Sequence, residues 1–158
     1  MTKNKNIKDL LESFGASFEK IVSTAMQMYV PHPGVETEEE ARMIFRRELE
    51  HALSDPNLGV LIYAGATLER NGAKGSVPHP GIDEDLTYLV ADEVLGMSIA
   101  KYIGGYKGLF EYIRCDKVKP GIVAELGPFM DDVVAGIIGG VSANMYDAGM
   151  RAKRMKNE

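Results

Sequence analysis

With 158 residues, 45% of them apolar and 26% charged, the chain has the size and composition of one globular domain, and it needs no metal or disulfide staple to fold. A net charge of -5 without any Lys/Arg stripe excludes a nucleic-acid surface, and the single cysteine, Cys115, excludes an intrachain disulfide and reads as a packed thiol. No run reaches the roughly 18 apolar residues of a membrane span, and the opening residues lack the apolar core of a secretory leader, so no transmembrane segment and a cytoplasmic location are expected.

In chain order, Ile7, Leu10, Leu11 and Phe14 recur at helical spacing before Gly15, predicting a short amphipathic helix near 5–14. Ser17 caps a second, whose apolar positions continue from Phe18 to Tyr29 until Pro31 and Pro33 end it. Thr37 and Glu40 form a capping-box pair, and the glutamates between them favour the positive end of a helix running to Leu53. Asp55-Pro56 sets a cap before a first-turn proline, opening a helix that Asn71-Gly72 closes.

The segment VPHPG occurs at 30–34 and again at 77–81, each time before an acidic cluster and a helical run, which suggests an internal duplication. His32 and His79 lie there between prolines; a turn-shaping role is preferred to metal ligation, because no histidine or cysteine spacing supports ligation. Asp83 is expected to start a long helix ending at Gly104-Gly105. A further helix covers about 107–116, and Pro128 introduces a last one to about Met150. No window alternates as a half-buried strand does. The fold class is therefore all-α, a single-domain bundle of about six to eight helices over 1–158, with an N-terminal half (1–76), a motif-bearing half (77–150) and a basic tail (151–158). The tail cations Arg151, Lys153, Arg154 and Lys156 complement the negative end of a terminal helix.

Two acidic pairs carry the chemistry. Asp92-Glu93 is read as mid-helix between Leu89-Val90-Ala91 and Val94-Leu95, and at least one carboxylate there is expected to point inward. Asp131-Asp132 repeats the pattern between Phe129-Met130 and Val133-Val134. A buried carboxylate costs several kcal/mol unless a cation or donor compensates it. Two such pairs on different helices can supply oxygen ligands to a hard cation such as Mg2+ or Mn2+; the alternative is that the aspartates merely cap a helix. Between the pairs, Arg114, Asp116, Lys117 and Lys119 crowd a helix end. Pro120 holds Lys119 in a stiff turn, where its ammonium either grips a phosphate or neutralises a carboxylate. Gly96, Gly136, Gly139 and Gly140 follow the acidic pairs and favour close helix approach. The Met and Gly faces permit a homodimer.

The spaced motifs DEVLG (92–96), DKVKP (116–120) and MDDVVAG (130–136) resemble the phosphatidylglycerophosphatase A family in identity and order. That resemblance implies a Mg2+-dependent phosphomonoesterase. The family's membrane branch has transmembrane segments and a glycine-rich N-terminal motif that are absent here, so the chain is more similar to the soluble branch, which includes the archaeal α-ribazole-5'-phosphate phosphatase of cobalamin synthesis. Carried over by position, Asp92, Glu93, Asp131, Asp132 and Asp116 would hold metal, with Asp92 or Asp132 activating water. Lys119 and Arg114 would hold the phosphate of a small ester. Direct attack by water is preferred, with an aspartyl-phosphate intermediate left open.

Overall fold

The computed structural model describes residues 6–78 and 88–158. Within them the chain forms six α-helices and no strand: α1 (Ile7–Glu12), α2 (Phe18–Met26), α3 (Glu38–Leu53), α4 (Pro56–Ala73), α5 (Ala91–Val118) and α6 (Met130–Lys156), with a 3-10 turn at Gly121–Glu125 before α6. The all-α expectation therefore holds for the described residues.

Local chemistry explains most of the boundaries. Asn6 and Ser17 cap α1 and α2 through their side chains. Thr37 and Glu40 form the full reciprocal capping box at α3, and Asp55 accepts from the Asn57 amide ahead of α4. The ends differ modestly from expectation. α2 stops at Met26 because the next residues tighten into turns, and Asn71-Gly72 lies inside α4, which ends at Ala73 just before the positive φ of Gly75 (67°). α6 passes Met150 to Lys156, so the basic tail is the helix's own last turns; Lys153 reaches Glu36 at 2.5 Å.

The first VPHPG is a tight turn in which His32 and Val35 exchange backbone hydrogen bonds around Gly34 (φ 87°), and the His32 ring lies 5.2 Å from that of Tyr146. His32 thus shapes a turn. His79, most of the second VPHPG and the expected helix start at Asp83 lie outside the described residues.

α6 forms the axis of the fold. From Met130 to Ala143 every residue is buried, the signature of a helix enclosed on all sides. Ile137, Ile138, Val133, Val134 and Val141 share one buried core with Phe45, Leu49, Leu58, Ile62 and Ile99, and each side chain of that size stabilises the fold by about 1.5–3 kcal/mol. The most extensive packing of α6 is with α5.

α5 is a hairpin. At Gly105 the backbone leaves the helical region (φ 63°, ψ -150°), as the Gly104-Gly105 break anticipated. A side chain at Gly105 would be strained at that φ. The two arms fold back on each other and on α6 so closely that, at the glycines along the seam, there is no room for a Cβ. A Cβ at Gly108 would strike the Ala100 carbonyl, and one at Gly136 the Gly96 carbonyl. The turn returns the second arm to the level of the first arm's start, bringing residues 112–119 back to the N-terminal ends of α5 and α6.

Candidate metal centre

At that end three motif-bearing segments meet. The apolar run up to Val90 predicts that Asp92 and Glu93 sit in mid-helix. Instead α5 begins at Ala91, Val90 serves as its cap with φ -125° and ψ -2°, and both acids occupy the first turn. Unpaired amides at a helix start favour negative charge, which lowers the cost of placing acids there. Their neighbouring directions on the helix diverge by about 100°, and packing separates their fates. Asp92 is 2% exposed, whereas Glu93 faces outward. Asp131 and Asp132 occupy the first turn of α6, 6% and 2% exposed.

Asp116, half-buried near the end of α5, completes a cluster: one carboxylate oxygen from each of Asp116, Asp131 and Asp132 lies within 4.8 Å of the others. Neither Glu93 nor Asp92 belongs to this triad, though Asp92 is near enough to push the pKa of Asp132 further up. Asp92 Oδ1 is buried with no hydrogen-bond partner among the described residues.

Lys119 is the counter-charge. Its Nζ donates to Asp116 Oδ1 at 2.6 Å and to Asp131 Oδ2 at 2.8 Å. Burial opposes its charge, but the two carboxylates outweigh that effect and raise its pKa. The residue caps α5 in the left-handed region (φ 53°, ψ 56°), where a side chain costs roughly 1–2 kcal/mol. It is the one non-glycine residue with positive φ among those described, and Pro120 follows it. That backbone geometry aims the ammonium back over the acids.

The remaining oxygens are unevenly committed. Asp131 Oδ1 accepts from the Asp132 amide at 2.6 Å, so both of its oxygens are occupied. Asp132 Oδ1 accepts from the Tyr112 hydroxyl at 2.6 Å. Burial, with repulsion from Asp131, Asp116 and Asp92, raises the pKa of Asp132 to about 9, despite the lowering effect of the Tyr112 bond. Burial likewise raises Asp131, against the pull of Lys119. Several buried carboxylates facing a single ammonium form a hard-oxygen donor set, the kind that holds Mg2+ or Mn2+. The orphaned Asp92 oxygen fits the same reading.

Arg114 stands apart. Two positions before Asp116 on the same helix, it points to the opposite side, pairs with Glu111 at 2.6 Å and donates to the Met28 carbonyl at 3.3 Å. The helical offset between the two residues explains why they do not converge. Cys115 is buried, and burial pushes its thiol up to about 12, which makes it an inert packing group.

Two residues of this region escaped sequence reasoning. Tyr112 is one. Glu69 is the other: its Oε2 accepts from the Phe129 and Met130 amides at 2.7 and 2.9 Å, capping α6 from α4. Glu69 continues the buried stripe of Ile62 and Ala66, and that periodicity was the available signal.

The fold and the site together define an all-helical protein organised around a carboxylate pocket able to hold a divalent cation. The chain belongs to the phosphatidylglycerophosphatase A family, which matches residues 21–147 and is a family of phosphatases. An uncharacterized protein of Methanocaldococcus jannaschii is 35% identical over 99 residues, covering 60% of this chain and 77% of that one. Among solved structures, the low temperature requirement C protein of Listeria monocytogenes superposes with a TM-score of 0.76 at 26% identity, covering 90% of this chain and 94% of that one. A protein of unknown function from Bacillus stearothermophilus superposes at 0.72, also 26% identical, covering 90% and 92%. Among the described residues no helix is long and apolar enough to cross a membrane.

Proposed function

We propose that the protein is a divalent-cation-dependent phosphomonoesterase acting on a small phosphate ester with Mg2+ or Mn2+. The observation that carries this reading is the convergence of Asp116, Asp131 and Asp132 within 4.8 Å, beside a buried Asp92 oxygen that has no hydrogen-bond partner among the described residues, in a chain of a phosphatase family. Among the described residues Asp92 Oδ1 has no hydrogen-bond partner, and Asp116 and Asp132 each have one oxygen engaged by a donor and the other left for a cation. Asp131 divides its two oxygens between Lys119 and the Asp132 amide, and so orients the lysine.

A bound divalent cation would supply an acidified water and neutralise charge on the phosphate oxygens. Lys119, held from a stiff turn, offers an ammonium to a nonbridging oxygen of the ester phosphate. Water attacks phosphorus, the ester P–O bond breaks, and the alcohol leaves with a proton. The deep burial of Asp132 keeps bulk water from its side of the site.

The resemblance to the branch that includes α-ribazole-5'-phosphate phosphatase makes that ester the first substrate to assay. Phosphatidylglycerophosphate in vesicles tests the activity that the family's name describes. Release of inorganic phosphate is measured across both, with cation and with chelator. Cation-dependent release from a soluble ester, lost in Asp92→Asn, is expected. Turnover that survives chelation and the Asp92→Asn change would exclude the site.

A further inference from the structure

Resting on the reading that the acidic cluster binds a cation, we infer that Tyr112 is the positioning residue that holds Asp132 in its ligand orientation, by fixing one carboxylate oxygen and leaving the other for the ion. Tyr112 is 3% exposed, and its hydroxyl lies 2.6 Å from Asp132 Oδ1. A buried phenol needs a partner, and an aspartate oxygen is a strong acceptor.

The ring has little freedom to choose another. On one side it fills the space where Gly96 lacks a side chain: a Cβ there would stand 2.8 Å from Tyr112 Cε2. On the other, the Tyr112 backbone presses on Gly139 so closely that a Cβ at Gly139 would strike the Tyr112 amide nitrogen. Tyr112 is thus wedged between the first arm of α5 and α6, with its tip aimed at Asp132. The two glycines create the slot, and the slot fixes the direction of the phenol.

The neighbouring acids are oriented by other donors. Lys119 holds Asp116 and Asp131, and the Asp132 amide holds Asp131. Among the described residues Tyr112 supplies the one donor to Asp132 Oδ1, and the second oxygen of Asp132 accepts no hydrogen bond from an amide or hydroxyl. Hydrogen bonds that orient a ligating carboxylate matter to affinity about 10- to 100-fold.

The test is Tyr112→Phe in the full chain, which keeps the ring wedged and removes only the hydroxyl. Mn2+ binding is followed by the loss of the free-ion spin-resonance signal, and thermal unfolding is recorded in chelator. Tyr146→Phe is the control: that hydroxyl bonds the Val30 backbone on another face. The Mn2+ dissociation constant is expected to rise about 10-fold or more in Tyr112→Phe and to stay within twofold in Tyr146→Phe. Wild-type affinity in a folded Tyr112→Phe protein overturns the positioning role while leaving the cation site intact. Absence of Mn2+ binding by the wild-type protein overturns both.

Discussion

Replacing Asp132 by asparagine is expected to stabilise the cation-free protein, and to do so more strongly as pH rises. Asp132 is 2% exposed, and burial together with three nearby carboxylates moves its pKa from the usual 3.8 to about 9. A carboxyl raised in this way is protonated in the fold and ionised in the unfolded chain throughout that interval. The folded state then binds more protons, so the group's contribution to stability is complete below pH 4 or so and is lost as pH climbs toward about 9. One proton of difference corresponds to about 1.4 kcal/mol per pH unit, or about 4 kcal/mol between pH 5 and pH 8. Asp131 is raised by burial as well and shares the cluster, so the slope belongs to the pair. An amide has no such slope. Urea denaturation of both proteins in chelator at pH 5, 6.5 and 8 isolates the effect as their difference. That difference is expected to move in favour of Asp132→Asn by on the order of 2–4 kcal/mol across the series. Saturating Mg2+ should reverse the order, because a cation that binds the ionised carboxylates stabilises only the wild-type site. A difference that stays constant from pH 5 to pH 8 refutes the reasoning.

Two further substitutions probe the frame that carries the site. Gly136→Ala places a Cβ on the Gly96 carbonyl, where backbone cannot yield, and should cost about 2–3 kcal/mol, lowering the thermal midpoint by roughly 4–12 °C; Gly59→Ala, with open space around it, should be neutral or stabilising. Glu69→Ala removes the acceptor of two amides at the start of α6 and should cost about 1–2 kcal/mol in denaturation, most of which Glu69→Gln should restore.

Much of the frame is legible in the amino-acid order. The Thr37–Glu40 capping box, the Asp55-Pro56 start and the Gly104-Gly105 break are local devices whose geometry depends on few neighbours, and each operates as its residues indicate. The acidic pairs were legible for another reason: carboxylates inside apolar runs must be compensated, and Asp131 and Asp132 are indeed enclosed. Elsewhere a local pattern has two solutions, and packing chooses between them. Leu89 and Val90 carry a helical period without being helical, which misplaced Asp92 and Glu93 in mid-helix. Arg114 shares a charged segment with Asp116 but faces the other way. Tyr112 and Glu69 meet partners 20 and 60 residues distant, and no local spacing encodes such pairings.

The order of amino acids by itself determined the helical class, the caps, the break in α5 and the presence of acids that must be neutralised, because each follows from propensity, spacing and solvation along a short stretch. Only the tertiary structure decided which acids share a pocket. Adjacent side chains on a helix diverge by about 100°, so packing alone turned Asp92 inward and Glu93 outward. The return of α5 at Gly105, along a seam of glycines, brought Asp116, Lys119 and Tyr112 back to the first turn of α6.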